Sequence, residues 1–235
     1  MFTLLPLFLQ SALAFEVRTD DLGQTVQWRR HTIRYRFNPE GDHGLSSAAV
    51  ETLISAATRE WTNPVSGNLA FSNEGPTEIR TARHDDNANV IYFEDEWKED
   101  PSLLAVTYLW STTDGELIGF DMALNAEHHQ WSIDGSPEAN DLLNTLSHEF
   151  GHALGVEHSP VVERATMYPS SPVGEIQKRD LHGDDIDAVV HLYANASDAG
   201  SQASAGCSTN PSSPRSALGW LCIPLIAFIR RTDIA

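Results

Sequence analysis

The chain has 235 residues and a formal net charge of −18, with 33 acidic against 15 basic side chains and only two cysteines. Such an acidic chain repels the phosphate backbone, so we expect no nucleic-acid partner. Two cysteines cannot build a disulfide framework, and 41% hydrophobic residues with six tryptophans exclude disorder throughout. Most of the length fits one domain of ordinary size, which we expect to be a monomer.

The first fourteen residues predict a secretory signal peptide. Residues 1–9 are almost wholly apolar, and the sequence SALA that ends at residue 14 has the small residues of a cleavage site. An apolar N-terminal strand is the alternative interpretation. We expect a secreted chain that begins near Phe15, with residues 15–194 forming the domain.

The pattern of residues 15–194 is mixed α and β. Alternating runs rich in β-branched and aromatic residues predict strands, and apolar residues three and four apart predict helices. The predicted strands are residues 32–37, 69–71, 89–93, 104–110 and 117–125, and the predicted helices start from an N-cap at Ser46 and cover 137–154 and 184–193.

The strongest signal for function is the sequence HEFGHALGVEH, which begins at His148. Positions four apart share one face of a helix, so His148 and His152 can hold one metal ion together. Gly155 permits a turn that brings His158 back as a third ligand. Three imidazoles leave a tetrahedral zinc site with one open position, which is the catalytic arrangement, and Glu149 can reach a water there.

A second motif, ATMYP at residues 165–169, follows the histidines. The extended zinc motif with a downstream Met-turn is the metzincin signature, and His158 followed directly by Ser159 is similar to the matrixins. The resemblance implies an α+β, zincin-like catalytic domain: a five-stranded mixed twisted sheet, an active-site helix, a Met-turn and a C-terminal helix. It also implies a zinc metalloendopeptidase that acts on proteins or peptides, with one catalytic Zn²⁺. Met167 would support the three ligands from beneath without binding the metal itself.

The same resemblance implies how substrate is held. The edge strand, predicted at residues 104–110, would bind an extended peptide by strand addition. Asp184 and Asp185 would brace the Met-turn and the mature N-terminus, although a helix N-terminus stabilised by solvated acids explains this pair equally well. The wall of the main specificity pocket would comprise Tyr168, Pro169 and Ser170.

Other polar residues do not extend the resemblance. Both cysteines lie beyond residue 194, so a thiolate that blocks the zinc within residues 15–194 is excluded by composition. His128 and His129 lack an H-x-D partner for a structural zinc, so we expect surface histidines. The polar segment HDDN at residues 84–87 makes calcium possible but unsupported, and a solvated loop is favoured.

The C-terminal residues predict a separate anchor. Residues 195–216, which include Cys207, have the small and polar composition of a flexible linker. Residues 217–235 form a short hydrophobic segment with an Arg-Arg pair, shorter than the roughly 20 residues of a membrane-spanning helix. A last helix docked on the domain is the alternative. The order of cysteine, spacer, apolar run and arginines resembles the MYXO-CTERM sorting tails of myxobacterial surface proteins, which implies attachment to the membrane or cell surface.

Two other classes of function compete with a protease. One is a zinc-bound binding module that does not cleave, and the other is a cell-envelope adhesion protein whose tail is the functional part. The presence of Glu149 argues against the first class, because a pure binder has no need of a base beside the metal.

Overall fold

The computed structural model describes residues 14–41, 44–194 and 228–234. Nearly all of the predicted signal peptide, the predicted linker with Cys207 and most of the hydrophobic segment therefore lie outside the described residues. Within these described ranges, no helix has both the length and the apolar character needed to cross a membrane.

Strands and helices alternate along the domain. The strands are β1 (Thr32–Phe37), β2 (Ala70–Pro76), β3 (Val90–Glu94), β4 (Ala105–Ser111), β5 (Leu117–Asn125), β6 (Trp131–Ser132), β7 (Asn140–Asp141) and β8 (Phe228–Ile234). The α-helices are α1 (Ser47–Thr62), α2 (Leu142–Ala153) and α3 (Gly183–Tyr193), and short 3₁₀ turns cover Asn63–Val65 and Gln177–Arg179.

The main sheet has the strand order β2-β1-β3-β5-β4-β8. Neighbours from β2 through β5 run parallel, whereas β4 runs antiparallel to β5. The predicted α+β class and the five-stranded mixed sheet of the domain are confirmed, and β8 adds a sixth strand at the β4 edge.

The core lies between this sheet and the helices. The burial of β1 alternates, so that Ile33, Tyr35 and Phe37 face inward together, as expected for a strand with one covered face. Aromatic rings fill the space against α2, where Phe150 lies edge-on to Phe71 with ring centroids 5.1 Å apart. This packing holds α2 against the sheet.

Both ends of α2 are fixed by side chains. The carboxylate of Asp141 accepts the backbone N–H of Asn144 and so caps the first turn. At the other end, Trp28 donates from Nε1 to the Ala153 carbonyl, and the Tyr193 hydroxyl donates to the Leu154 carbonyl. These bonds satisfy carbonyls that a helix end leaves unpaired and fix the register of α2.

The start of α2 differs from the prediction. The helix was expected from Pro137, but it begins at Leu142. Asn140–Asp141 instead pairs with Trp131–Ser132 as a short parallel ladder, and the Asp141 cap then sets the first helical residue. A polar cap with a tertiary strand partner therefore overrides the helical pattern of the preceding residues.

The last described residues add a strand to the sheet. Residues 228–234 form β8, which pairs antiparallel with β4 from Ala105↔Ile234 to Ser111↔Phe228. Cα atoms of β8 also come within 8 Å of α2. The β4 edge, expected to be open for peptide addition, is therefore paired in this structure.

A buried carboxyl group ties a loop to the centre of the sheet. Asp121 on β5 is fully buried and accepts the backbone N–H groups of Val90, at 2.7 Å, and Arg83, at 2.8 Å. Burial dominates over these hydrogen bonds and raises the pKa of Asp121 to about 8.

This shift predicts a pH-dependent contribution to stability. The native state keeps a proton on Asp121 that the unfolded chain releases near pH 4, so the contribution is full below about pH 4 and is lost as the pH rises through about 8. The quantity to compare is the difference in the free energy of unfolding between the wild type and Asp121→Asn. We expect this difference to fall by on the order of a few kcal/mol between about pH 4 and about pH 8. Denaturant unfolding of both proteins at fixed zinc across this range measures the difference, in which metal-site effects cancel. A flat difference would contradict the assignment.

Candidate metal centre

Three histidines meet at the C-terminal half of α2 and the loop after it. His148 and His152 are one helical turn apart on α2, and His158 follows the turn at Gly155. Their Nε2 atoms form a triangle with sides of 3.0, 3.2 and 3.2 Å. Nitrogens at three corners of a zinc tetrahedron lie about 3.3 Å apart, because Zn–N distances are about 2.0–2.1 Å. The triangle therefore fits one zinc ion.

The other ring nitrogens fix which atom faces the metal position. Nδ1 of His148 lies 2.7 Å from the Thr166 carbonyl oxygen, and Nδ1 of His152 lies 2.9 Å from that of Val156. A carbonyl oxygen only accepts, so Nδ1 carries the proton and Nε2 keeps its lone pair. Burial, together with neighbouring charges, lowers the pKa of both histidines well below its usual value, so both are neutral, as metal ligands must be.

Gly155 makes the return of the chain possible. Its φ of +87° lies in the left-handed region, and a Cβ at this position would stand 2.6 Å from the backbone oxygen of Val26. A side chain is therefore excluded by both conformation and space. Gly155 lies two residues after the end of α2, in the segment that leads to His158.

Glu149 lies on α2 beside the first histidine and is fully buried. Its Oε2 accepts a hydrogen bond of 2.5 Å from the hydroxyl of Thr107 on β4. Sequence reasoning missed Thr107. A polar residue in the inward-facing row Ala105, Thr107, Leu109 was the available signal, since a buried hydroxyl needs a partner.

The Met-turn packs directly beneath α2. Met167 is almost fully buried, and a Cβ at Gly151 would overlap both its sulfur and the ring of Trp61. Trp61 in turn donates from Nε1 to the Ser147 carbonyl at 2.7 Å. Gly151, which the sequence analysis did not single out, is thus the residue that lets Met167 approach the helix.

The Asp184–Asp185 pair joins α3 to this turn. Asp185 accepts backbone N–H groups from Thr166, Met167 and His182 at 2.7–3.0 Å. Burial raises the pKa of its carboxyl group, and these hydrogen bonds oppose the rise. Asp184 accepts the Ser159 hydroxyl at 2.7 Å, and the same hydroxyl lies 3.4 Å from the Ala14 carbonyl oxygen. Both carboxylates therefore have tertiary contacts that a merely solvated helix N-terminus would lack.

The segment after Met167 is held by a buried lysine. Lys178 is fully buried, and its Nζ donates to the carbonyls of Tyr168, at 2.8 Å, and Ser170, at 2.6 Å, on either side of Pro169. Burial lowers the pKa of Lys178 to about 8. Its backbone N–H donates to Oδ1 of Asn144 on α2. The predicted pocket wall is therefore tied to the active-site helix, through a lysine that the sequence analysis missed.

The remaining polar candidates do not join this centre. Among the described residues, one group of His, Cys, Asp or Glu side chains lies close enough together to share a metal ion. That group is the three histidines. His128 and His129 contact Glu127 and the Pro101 carbonyl instead. Asp85 of the polar loop pairs with Arg83, so the calcium hypothesis gains no support.

Comparisons with known proteins agree with this geometry. Human matrix metalloproteinase-26 is 26% identical over 169 residues, which cover 71% of this chain and 59% of that protein. Human neutrophil collagenase is 30% identical over 80% of this chain and 35% of its own length. Karilysin of Tannerella forsythia is 31% identical over 72% of this chain and 34% of its own length.

The chain spans between about a third and three fifths of these relatives' length. The family model described as Matrixin matches residues 27–194, which include all five strands of the domain sheet, the three helices, the histidine triangle and the Met-turn. With most of the chain covered by that match, this protein belongs to the matrixin family.

Proposed function

We propose that this protein is a secreted, zinc-dependent endopeptidase. The observation that carries the proposal is the convergence of Nε2 atoms from His148, His152 and His158 next to the buried carboxyl group of Glu149. These histidines would hold Zn²⁺ and leave one position open. Bound zinc supplies Lewis-acid chemistry, which lowers the pKa of a water to about 7 and polarises the scissile carbonyl.

Glu149 would carry the proton transfers. As general base it takes a proton from the attacking water, and as general acid it delivers that proton to the leaving amine. The fixed position of Glu149, one residue after His148 on a capped helix, keeps the carboxylate beside the metal position. Its burial excludes bulk water, which strengthens its interaction with developing charge.

The residues around the ligands would keep this geometry. Met167 packs under α2, and Asp185 holds the backbone of the Met-turn from α3. Gly155 allows His158 to return, and Asp184 holds Ser159 directly after it. We assign these residues to positioning and none of them to the chemical step.

An extended substrate would add to the edge of β4 as an antiparallel strand. That edge pairs with β8 in this structure, so a substrate has to take the place of β8. On this edge, Thr107 donates its hydroxyl proton to Glu149, so the residue opposite Thr107 in an added strand is the one aligned with this contact. We therefore place the scissile bond at this point of the register.

The pocket for the side chain after the scissile bond would be bounded by Tyr168, Pro169 and Ser170. Lys178 holds the carbonyls of Tyr168 and Ser170, and Asn144 holds the neighbouring Ser171 hydroxyl at 2.8 Å. A wall fixed at three points changes shape little on binding, so we infer that the pocket discriminates substrates by side-chain size.

We further propose that residues 1–14 direct secretion and that residues 195–235 attach the protein, as a monomer, to the cell surface. The small-residue cleavage site and the apolar segment with its Arg-Arg pair support this organisation. Mass spectrometry of the mature protein tests it, because it reports both an N-terminus near Phe15 and any processing near Cys207. A mature chain that retains residues 1–14 would contradict secretion by this signal.

Digestion of casein by the purified full chain tests the activity itself. We expect internal peptides among the products, identified by mass spectrometry, and loss of cleavage when a chelator removes the metal, followed by recovery on addition of zinc. Products that arise only from the ends of casein would contradict an endopeptidase. The absence of cleavage by zinc-loaded protein would instead favour a binding module.

A further inference from the structure

Thr107 lies on β4, the strand proposed to bind substrate, and hydrogen-bonds Glu149, the proposed general base. It lies in the middle of β4 and is fully buried. Its Oγ1 lies 2.5 Å from Oε2 of Glu149 and 3.4 Å from the backbone oxygen of the same residue. The short distance to the carboxylate identifies the direction in which the single hydroxyl proton is donated.

The apolar surroundings of the Thr107 hydroxyl favour this hydrogen bond. Ala105 and Leu109, two residues to either side of Thr107 on β4, belong to the apolar cluster between the sheet and the helices. A buried hydroxyl in such an apolar row is unfavourable unless it is hydrogen-bonded. The contact therefore restrains the carboxylate of Glu149 rather than merely touching it.

We propose that Thr107 is a positioning residue that sets the orientation of the Glu149 carboxylate relative to the bound peptide. The inference rests on the proposed function. Oε2 is held by Thr107, so proton transfer is assigned to Oε1, the other oxygen.

The position of Thr107 on β4 gives this contact a second consequence. Its backbone is opposite Thr232 in the β4–β8 ladder, and its side chain reaches α2. One residue thus takes part in pairing with an added strand and holds the base at the same time. The Thr107 hydroxyl would thus connect the position of the bound peptide with the orientation of the Glu149 carboxylate.

Two substitutions in the full-length, zinc-loaded chain separate the hydroxyl from its packing. Thr107→Val keeps the branched shape and removes the donor, and we expect kcat for one internally cleaved peptide to fall between about 10-fold and 100-fold with KM within about twofold of wild type. Thr107→Ser keeps the donor, and we expect kcat within about threefold of wild type. Zinc content should stay at one per chain in both variants.

Thr145→Val is the matched control. Thr145 is a buried threonine on α2 whose hydroxyl has no hydrogen-bond partner within the described part of the chain, so its loss should leave kcat unchanged. A wild-type kcat in Thr107→Val, or an equal loss of kcat in Thr107→Ser, would overturn the proposal.

A crystal structure of each Thr107 variant gives a readout that does not depend on activity. We expect the Glu149 carboxylate to leave its position in Thr107→Val and to keep it in Thr107→Ser. An unmoved carboxylate in Thr107→Val contradicts the positioning role even if the wild type cleaves peptides. A wild type that cleaves nothing contradicts the proposed function instead, so the two failures are distinguishable.

Discussion

Replacement of Glu149 by glutamine is expected to leave zinc bound and to lower peptide cleavage by about 10²–10⁴-fold, the range typical of lost general acid–base catalysis. Glutamine has nearly the same shape as glutamate but cannot accept the proton. The three histidines are unchanged, and their Nδ1 partners, the carbonyls of Thr166 and Val156, do not involve Glu149. The metal site should therefore persist while the chemical step slows.

Glu157→Gln is the matched control for this experiment. Glu157 belongs to the same motif but forms an ion pair with Arg18 at 2.9 Å, so we place it outside the proposed proton path. Its substitution should change kcat by less than about threefold, which corresponds to the small contribution of a partly exposed ion pair. Zinc per chain and kcat are measured on the same preparations. Glu149→Gln with wild-type activity would refute the mechanism.

The largest loss of stability is expected for Asp185→Ala. This substitution leaves three backbone N–H groups, those of Thr166, Met167 and His182, without their acceptor. Thr166 and Met167 are buried, whereas His182 is exposed and its N–H can bind water instead. Each buried donor left unsatisfied costs about 1–3 kcal/mol, so the free energy of unfolding should fall by at least about 2 kcal/mol. The carbonyl of Thr166 also orients His148, so we expect weaker zinc binding as well.

Asp184→Ala provides the comparison for Asp185. Asp184 has the same charge and the adjacent position on α3, but its side-chain contact is one hydrogen bond with Ser159. We expect a loss of only about 1 kcal/mol for this variant. Denaturant unfolding at a fixed concentration of free zinc measures both, because bound metal adds to the stability of the native state. Equal losses in the two variants would mean that Asp185 does not support the Met-turn.

Local patterns were sufficient for the parts of the fold that depend on periodicity. The sequence predicted β1, β3, β4 and β5 to within one residue at their ends. Of these, β1 alternates in burial, whereas β3 is buried on both faces. The two histidines on α2 and the turn at Gly155 were predicted because helix geometry and glycine's freedom are local properties. The predicted start of α2 was wrong because its cap depends on a strand partner nine residues away.

Residues that act across the fold were not visible in the sequence. Thr107 contacts Glu149 over a separation of 42 residues, and Lys178 reaches back to Tyr168 and Ser170 through a turn of the chain. No periodic pattern reports such contacts. The pairing of β8 with β4 is of the same kind, because the composition of a segment alone does not reveal which sheet edge it adds to.

The most direct test of the central claim is a titration of the metal-free protein with zinc. Metal content and cleavage of one peptide are recorded in the same samples. We expect cleavage to rise in proportion to added zinc and to stop rising at one zinc per chain, since one triangle of three histidines forms the site. Full cleavage without metal, or no cleavage at one zinc per chain, would contradict the assignment of this protein as a zinc endopeptidase.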